Sequence, residues 1–388
     1  MIQIPPSKLC LYELDKSVRI PGTHMIPGWH AMFQNILDIP TYFGFPLCVL
    51  LYNKIFAKRQ FVLESHISKQ ISKVIGHNFK HLADKPLEIS PVPAFTSRRP
   101  ELSPRIYKVS ISGTTLVIAK VQNAPFLIET SRMLCKEYAS LRFAGALISL
   151  SDYAPKPLFF GKVGSEMVLV ETFLSGMRIS DLIHSAAPEQ VMKHFMSSAI
   201  LLAGLAKETR IGANEFMRKY QDEMLKLQAN FSNLPRSVIN YFASVKNAGP
   251  IPKCVKHGDY FISNVLVSEC HEVTGLTDYE DFSKHGFPFE DIYHFIVSYL
   301  LALERMNKIE CVRTKSFIGF IENIIAIYNK EIGMQQDQMD AVFKYYWLSS
   351  INRQVSRFRK NEELALYRIR KIANGPQNLI DFVRQLLE

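Results

Sequence analysis

Apolar and polar residues alternate along RIYKVSI (105–111) and TLVIAKV (115–121), and both runs are rich in β-branched side chains. That period predicts two strands, and the Ser-Gly-Thr between them predicts a tight hairpin. From Pro125 the period changes. In PFLIETSRMLCKEYASLRFAGAL, Leu127, Leu134, Tyr138, Leu141 and Leu147 recur at helical intervals. PKPLFFGKVGSEMVLVETFLSG predicts two more strands, over 157–162 and 166–171, about a Gly-containing turn. Beyond Ile179 the pattern is helical over much of 179–245, 289–306, 311–332 and 337–386. VLV (265–267) and GLTDY (275–279) form the only strand-like interruption. Upstream, Trp29 to Ala83 reads as mainly helical, with a weakly amphipathic stretch in FVLESHISKQISKVIGHNF. ISPVPAFTSRRPELSP (89–104), rich in Pro and Ser, reads as a linker and loop. The predicted class is α+β: a small antiparallel sheet with one helix, then a large helical region with an embedded hairpin.

Composition narrows the class without naming it. At 388 residues, 47% hydrophobic and 21% charged, the chain can bury a sizeable core as one large domain or two ordinary ones. A net charge of +10 suits an anionic ligand such as a nucleotide, an acidic surface, or an ordinary basic protein. Neither zinc-finger spacing nor a homeodomain-like arrangement is present, which argues against a nucleic-acid partner. Cysteines 10, 48, 135, 254, 270 and 311 form no CxxC pair. Such scattered thiols fit a reducing compartment, and the expected location is cytoplasmic. No HExxH occurs among the histidines, so no zinc site is predicted. The opening MIQIPPSKLCLYELDKS does not read as a secretory signal. The apolar run Ile39–Tyr52 contains Pro40 and Pro46 and is shorter than the ~20 residues a spanning helix needs. It reads as a buried helix, with an interfacial segment helped by Lys54, Lys58 and Arg59 as the alternative. The cation-rich RQVSRFRKNEELALYRIRK (353–371) reads as a solvated helix face, with an anionic acceptor or a membrane surface as the alternative partner.

Candidate chemistry concentrates in HGDYFISN (257–264) and TDYED (277–281). Antiparallel pairing of the strands between them would set Asn264 beside Asp278, with Asp259 in the loop just before. Three oxygen-bearing side chains in an apolar setting suit Mg²⁺. A carboxylate beside a bound hydroxyl also suits proton removal during phosphoryl transfer. The protein-kinase pattern of His-Arg-Asp, four residues, Asn and then a metal-binding Asp is reproduced here, with Gly258 in place of Arg. His257 reads as a structural loop histidine, and Asp291 as a candidate helix cap. Lys120 sits in an otherwise apolar VIAKV and requires an anionic partner, which Glu137 on the next helix offers.

HGD-x4-N followed by an Asp on the next strand resembles the aminoglycoside phosphotransferase and choline kinase superfamily, which has a protein-kinase-like fold. TDYEDFSKHGFPFEDIYHF is similar to that family's segment of Asp-aromatic-Glu, a Gly-Pro turn and an Asp opening a helix. The resemblance implies a bilobal protein: a helical N-terminal extension over 1–90, a nucleotide-binding lobe over 91–173 with a small antiparallel sheet, and a larger, mainly helical lobe over 174–388 with the catalytic loop and acceptor site. It implies Asp259 as catalytic base, Asn264 and Asp278 as Mg²⁺ ligands, Glu280 as an assistant at the metal, and Asp291 as a brace for the loop. It further implies that Lys120 meets nucleotide phosphates and pairs with Glu137, and that Ser103 lies near the phosphates. Backbone groups of Glu171 and Phe173, in VETFLSG, would meet adenine. The likeness covers about 95–300. The chain departs from the family in FTSRRPELSP, which holds no glycine and leaves phosphate to Ser103 and backbone N–H groups. Arg98 and Arg99 either join them there or are solvated. Thr277 stands where an apolar residue is usual, and Tyr260-Phe261 replace polar or small residues.

The function these residues imply is ATP- and Mg²⁺-dependent transfer of the γ-phosphate to a hydroxyl of a small molecule: a sugar or glycan, an amino alcohol, or an aminoglycoside-like compound. Peripheral membrane contact is a lesser alternative. The competing expectation is a catalytically inactive kinase-like nucleotide-binding or scaffold protein, motivated by the glycine-free loop and the N-terminal extension. A protein kinase is disfavoured, because only about a dozen residues separate Asp278 from Asp291, too few for a peptide-docking activation segment.

Overall fold

The computed structural model describes residues 68–80, 85–92, 104–122, 127–164, 166–185, 188–212, 215–231, 234–245, 248–312, 314–357 and 362–387. The segment Ile39–Tyr52, Arg98, Arg99 and Ser103 therefore lie outside the described residues. The amphipathic stretch before the sheet is a helix over 68–78 (α1), with Ile71, Val74 and Ile75 buried on one face.

Five strands form an antiparallel sheet: β1 (Glu88–Val92), β2 (Arg105–Ile111), β3 (Thr114–Val121), β4 (Pro157–Val163) and β5 (Glu166–Thr172), in the order β1-β2-β3-β5-β4. The alternation in the sequence becomes alternation in burial: Tyr107, Val109 and Ile111 on β2 and Val117, Ala119 and Val121 on β3 are buried. Ser112 and Gly113 close the β2–β3 hairpin with φ of 49° and 77°. Positive φ at both positions gives a turn whose twist matches the strands it joins. One expectation is corrected here. Residues 89–92, read as linker, belong to β1, which pairs with β2 from Glu88↔Ser110 to Val92↔Ile106. Pro91 lacks an N–H and is tolerated because β1 is an edge strand. Its Pro- and Ser-rich sequence carries turn signals, and only the neighbouring strand makes it extended. The helix α2 (Leu127–Ala144) packs on β4 and β5, with the Tyr138 ring stacked on Phe160 at 4.6 Å.

The rest of the chain is mainly helical: α3 (Ile179–Ser185), α4 (Pro188–Glu208), α5 (Phe216–Asn230), α6 (Arg236–Ala243), α7 (Glu290–Arg305), α8 (Lys315–Ile332), α9 (Gln336–Arg357), α10 (Glu362–Lys371) and α11 (Leu379–Leu387). A helix apolar all round belongs inside. In α7 that holds, since Ile292, Tyr293, Phe295, Ile296, Val297, Tyr299 and Leu300 are all buried. The α+β class is met: a small antiparallel sheet with one helix, followed by a larger helical part.

Two small sheets interrupt the helices. The expected hairpin is present as β8 (Val265–Val267) and β9 (Val273–Leu276), with β6 (Met177–Arg178) on its other edge. A second pair, β7 (Cys254–Lys256) with β10 (Ser283–Gly286), was not predicted. Strands of three or four residues carry too few side chains for a period to show. The cation-rich C-terminal stretch also differs from expectation where it is described. Arg353 reaches the Gly258 carbonyl at 2.6 Å, Arg368 is buried against Ser350, and Lys371 pairs with Glu304, so these cations are structural rather than a solvated face. No helix among the described residues is long and apolar enough to cross a membrane. Cysteines 135, 254, 270 and 311 are unpaired thiols.

Candidate active site

The site is assembled on two supports. The first is β3 and α2. Lys120, near the end of β3, is partly buried and meets Glu137 of α2 at 2.5 Å and Glu171 of β5 at 2.9 Å. Lys120 opposes Leu169, and Ile118 opposes Glu171, so Lys120 and Glu171 share one face of the sheet. Burial disfavours the ammonium, but the two carboxylates outweigh it and hold Lys120 above its ordinary range. Burial pushes Glu171 up to about 7, against the pull of Lys120 and with a further push from Glu137. The side-chain contact of Glu171 is a feature the sequence reading did not contain, since only backbone groups of Glu171 were expected to matter. The Phe173 N–H, expected to face adenine, donates instead to the Leu116 carbonyl at 2.9 Å.

The second support is the loop before β8. It begins at β7 and is pinned by Asp291 in the first turn of α7. The His257 N–H donates to one Asp291 oxygen at 2.7 Å and the Gly258 N–H to the other at 2.9 Å. Gly258 adopts φ +82°, and a Cβ there would meet the Asp281 carbonyl oxygen at 2.3 Å. This explains why the residue between His257 and Asp259 is glycine, where the kinase pattern has arginine. Gly258→Ala combines a left-handed backbone with a main-chain clash, and the strain alone costs about 1–3 kcal/mol. We expect this variant to unfold at a lower temperature and to lose nucleotide-induced stabilisation. A melting curve like that of the wild type, with and without ATP, would refute the account of the loop. His257 packs edge-on against Tyr279 at 4.7 Å, and burial lowers its pKa, so it serves as a neutral wedge under the loop.

Asp259 follows directly. Its backbone carbonyl and its Oδ2 both accept from the Asn264 side-chain amide, at 3.0 and 3.1 Å. Its Oδ1 lies 3.4 Å from His294 Nε2 on α7. Burial opposes ionisation of Asp259, but the neighbouring His294 and the charge of Arg353 hold the carboxyl below the usual carboxylate range. The hairpin then works as the spacing anticipated. The Thr277 N–H donates to the Asn264 carbonyl at 2.9 Å, one step beyond the Val265↔Leu276 pair. The chain leaves the strand at Asp278, which takes the left-handed conformation, φ 65° and ψ 70°. Aspartate tolerates that region better than most residues, and such strain gathers at functional positions.

Asp278 is where the two supports meet. Its carboxyl is pushed up to about 8, first by burial and then by Glu280, Asp259 and Glu137, with Lys120 opposing. A half-buried carboxyl crowded by three others is a site short of positive charge, which an oxygen-binding dication would supply. Asn264 uses its amide N–H groups on Asp259, which leaves Oδ1, 3.4 Å from Ser263 Oγ, as the atom a metal would meet. The donor set of Asn264 and Asp278 therefore fits Mg²⁺.

Two contributors were not assigned from sequence. His294 lies three residues after Asp291, on the same face of α7, and that spacing was the available signal. Arg353 holds the Gly258 carbonyl from α9, 95 residues away in the chain, and no local pattern marks it.

No protein-family model and no curated protein matches the sequence. Among solved structures, the chain is similar to a candidate fructosamine-3-kinase from Haemophilus somnus, at 13% identity and a TM-score of 0.47, over 78% of this chain and 96% of that one. It is similar to a variant of aminoglycoside 2'-phosphotransferase IIIa bound to GDP, at 12% identity and a TM-score of 0.46, again over 78% and 96%. It is also similar to the aminoglycoside phosphotransferase APH(3'')-Id from Streptomyces rimosus bound to ADP and streptomycin, at 14% identity and a TM-score of 0.42, over 73% and 97%.

Proposed function

We propose that this protein is a Mg²⁺- and ATP-dependent phosphotransferase that moves the γ-phosphate to a hydroxyl of a small molecule, in a cytoplasmic setting that its free thiols favour. The observation that carries this reading is the surroundings of Asp278. Lys120 and Glu137 from the sheet side, and Asp259 and Glu280 from the hairpin side, all act on one carboxyl. On this reading the lysine for the phosphates, the carboxylate for the metal and the base belong to one electrostatic site.

In this reading Lys120 offers its ammonium to the nucleotide phosphates, with Glu137 fixing its position. Asp259, kept ionised by its neighbours, orients an acceptor hydroxyl and takes its proton. Asn264 and Asp278 would hold Mg²⁺, which when bound neutralises charge on the transferring phosphate. Little covalent work falls to the protein, and placement plus charge supply the acceleration.

One observation favours the second reading, a nucleotide-binding protein without turnover. Lys120 is bound by two carboxylates, so phosphate has to compete for it. The two readings separate in one experiment. Thermal stabilisation by ATP, with and without Mg²⁺, reports binding. Release of ADP in the presence of sugars, amino alcohols or aminoglycosides reports transfer. The proposed function requires both. Stabilisation with no acceptor-dependent ADP from any class moves the protein to the second reading, and no stabilisation at millimolar ATP removes both.

A further inference from the structure

The base of the proposed reaction is held from two sides, and only one of them belongs to the motif. Asn264 fixes Oδ2 of Asp259 at 3.1 Å, while His294 Nε2 stands 3.4 Å from Oδ1. His294 is itself held. Its Nδ1 lies 3.3 Å from the Tyr346 hydroxyl on α9, and Phe261 packs against its ring at 6.0 Å. Behind Tyr346 stands Arg368, whose guanidinium donates to the Ser350 hydroxyl and whose charge acts on the phenol. His294, Tyr346 and Arg368 are shielded from solvent, with side-chain exposure of 12% for His294 against 30% for Asp259. The row therefore runs from α10 through α9 and α7 to the one member that remains open to a ligand.

The direction of the hydrogen bonds follows from the donors. An ionised Asp259 can only accept, so the ring nitrogen that faces it at 3.4 Å carries a proton. The phenol proton is then available to His294 Nδ1, and the single proton of a neutral imidazole goes to Nε2, facing Asp259. Burial keeps the imidazole neutral by lowering its pKa, against the pull of Asp259 and in line with Arg353 and Arg368.

We propose that His294 is a positioning residue for the reaction: its Nε2–H fixes Oδ1 of Asp259 while Asn264 fixes Oδ2, so that the carboxylate presents one defined face to the acceptor hydroxyl. The inference rests on the reading of Asp259 as the base. A carboxylate free to rotate about its Cβ–Cγ bond would meet the hydroxyl in many orientations, and misplacement of a reacting group by about 1 Å can cost on the order of a hundredfold.

Two measurements test it. The first is ¹⁵N NMR of the His294 imidazole in the full chain. Nε2 is expected to carry the proton, and its resonance to move in Asp259→Asn. A proton on Nδ1, or no response to Asp259→Asn, overturns the proposal. The second is turnover of Mg·ATP with water as the acceptor. His294→Ala is expected to lower kcat about tenfold to a hundredfold while the KM for ATP stays within about twofold. His294→Gln, which returns an N–H donor at the same reach, is expected to recover most of the loss, and it guards against a mere folding defect. If Asp259→Asn loses turnover but His294→Ala keeps it, the role of His294 falls and the base stands. If the wild type binds Mg·ATP but turns nothing over, with water or with any of the acceptor classes named above, the phosphotransferase reading falls and the positioning role falls with it.

Discussion

Asp259→Asn is expected to lose phosphoryl transfer by about 10²- to 10⁴-fold while ATP and Mg²⁺ still bind. The replacement has the same shape and lacks the basic oxygen. The loop should survive it, because its pins do not use the Asp259 carboxylate. Asp291 holds the His257 and Gly258 N–H groups, Arg353 holds the Gly258 carbonyl, and Asn264 still reaches the residue 259 backbone carbonyl. Losing one negative charge also relieves Asp278, which Asp259 helps to crowd. The measurement is ADP release alongside a thermal shift with Mg·ATP. Normal turnover would show that Asp259 is not the base. Loss of the thermal shift as well would show that it acts in binding.

Asp278→Asn is expected to move stability and binding in opposite directions. In the ligand-free protein the Asp278 carboxyl titrates at about 8 against an ordinary 3.8, so the folded state holds its proton more tightly than the unfolded chain. The stability tied to that proton is fully present below pH 3.8 and is lost as pH rises through about 8. Glu171, raised to about 7, acts in the same direction over a lower window. The substituted carboxamide cannot ionise, and asparagine accepts the left-handed backbone as aspartate does. The variant should therefore melt higher than the wild type at pH 8.5, and the two should converge as pH falls towards 3.8. Adding Mg·ATP should reverse the order. Ligand at about 100 times its Kd adds about 2.7 kcal/mol to a protein that binds it, and the variant should gain little of this. A variant that keeps the full Mg·ATP shift would remove Asp278 from the metal site. A variant that melts below the wild type at pH 8.5 would contradict the crowding of carboxylates.

Lys120 and Glu137 were legible because a lysine in an apolar strand requires a partner, and the next amphipathic helix carried one. The hairpin of the candidate site was legible because its chemistry is close in sequence. Asp259, Asn264 and Asp278 are separated only by a strand, a turn and a strand, and antiparallel pairing places them by arithmetic. Gly258 is different. Its identity was visible as a departure from the kinase pattern, but its cause, the Asp281 carbonyl, belongs to a turn brought over it by the β7–β10 pair.

The sequence by itself determined the α+β class, the central strand pairs of the sheet and the residues of the motif, because these rest on local period and short-range pairing. Only the tertiary structure decided that β1 is a strand, that Glu171 joins Lys120, that Arg353 and Arg368 turn inward, and that His294 stands against Asp259. Each of these depends on a partner that local sequence does not mark, and distant contacts leave no periodic trace in the chain that makes them.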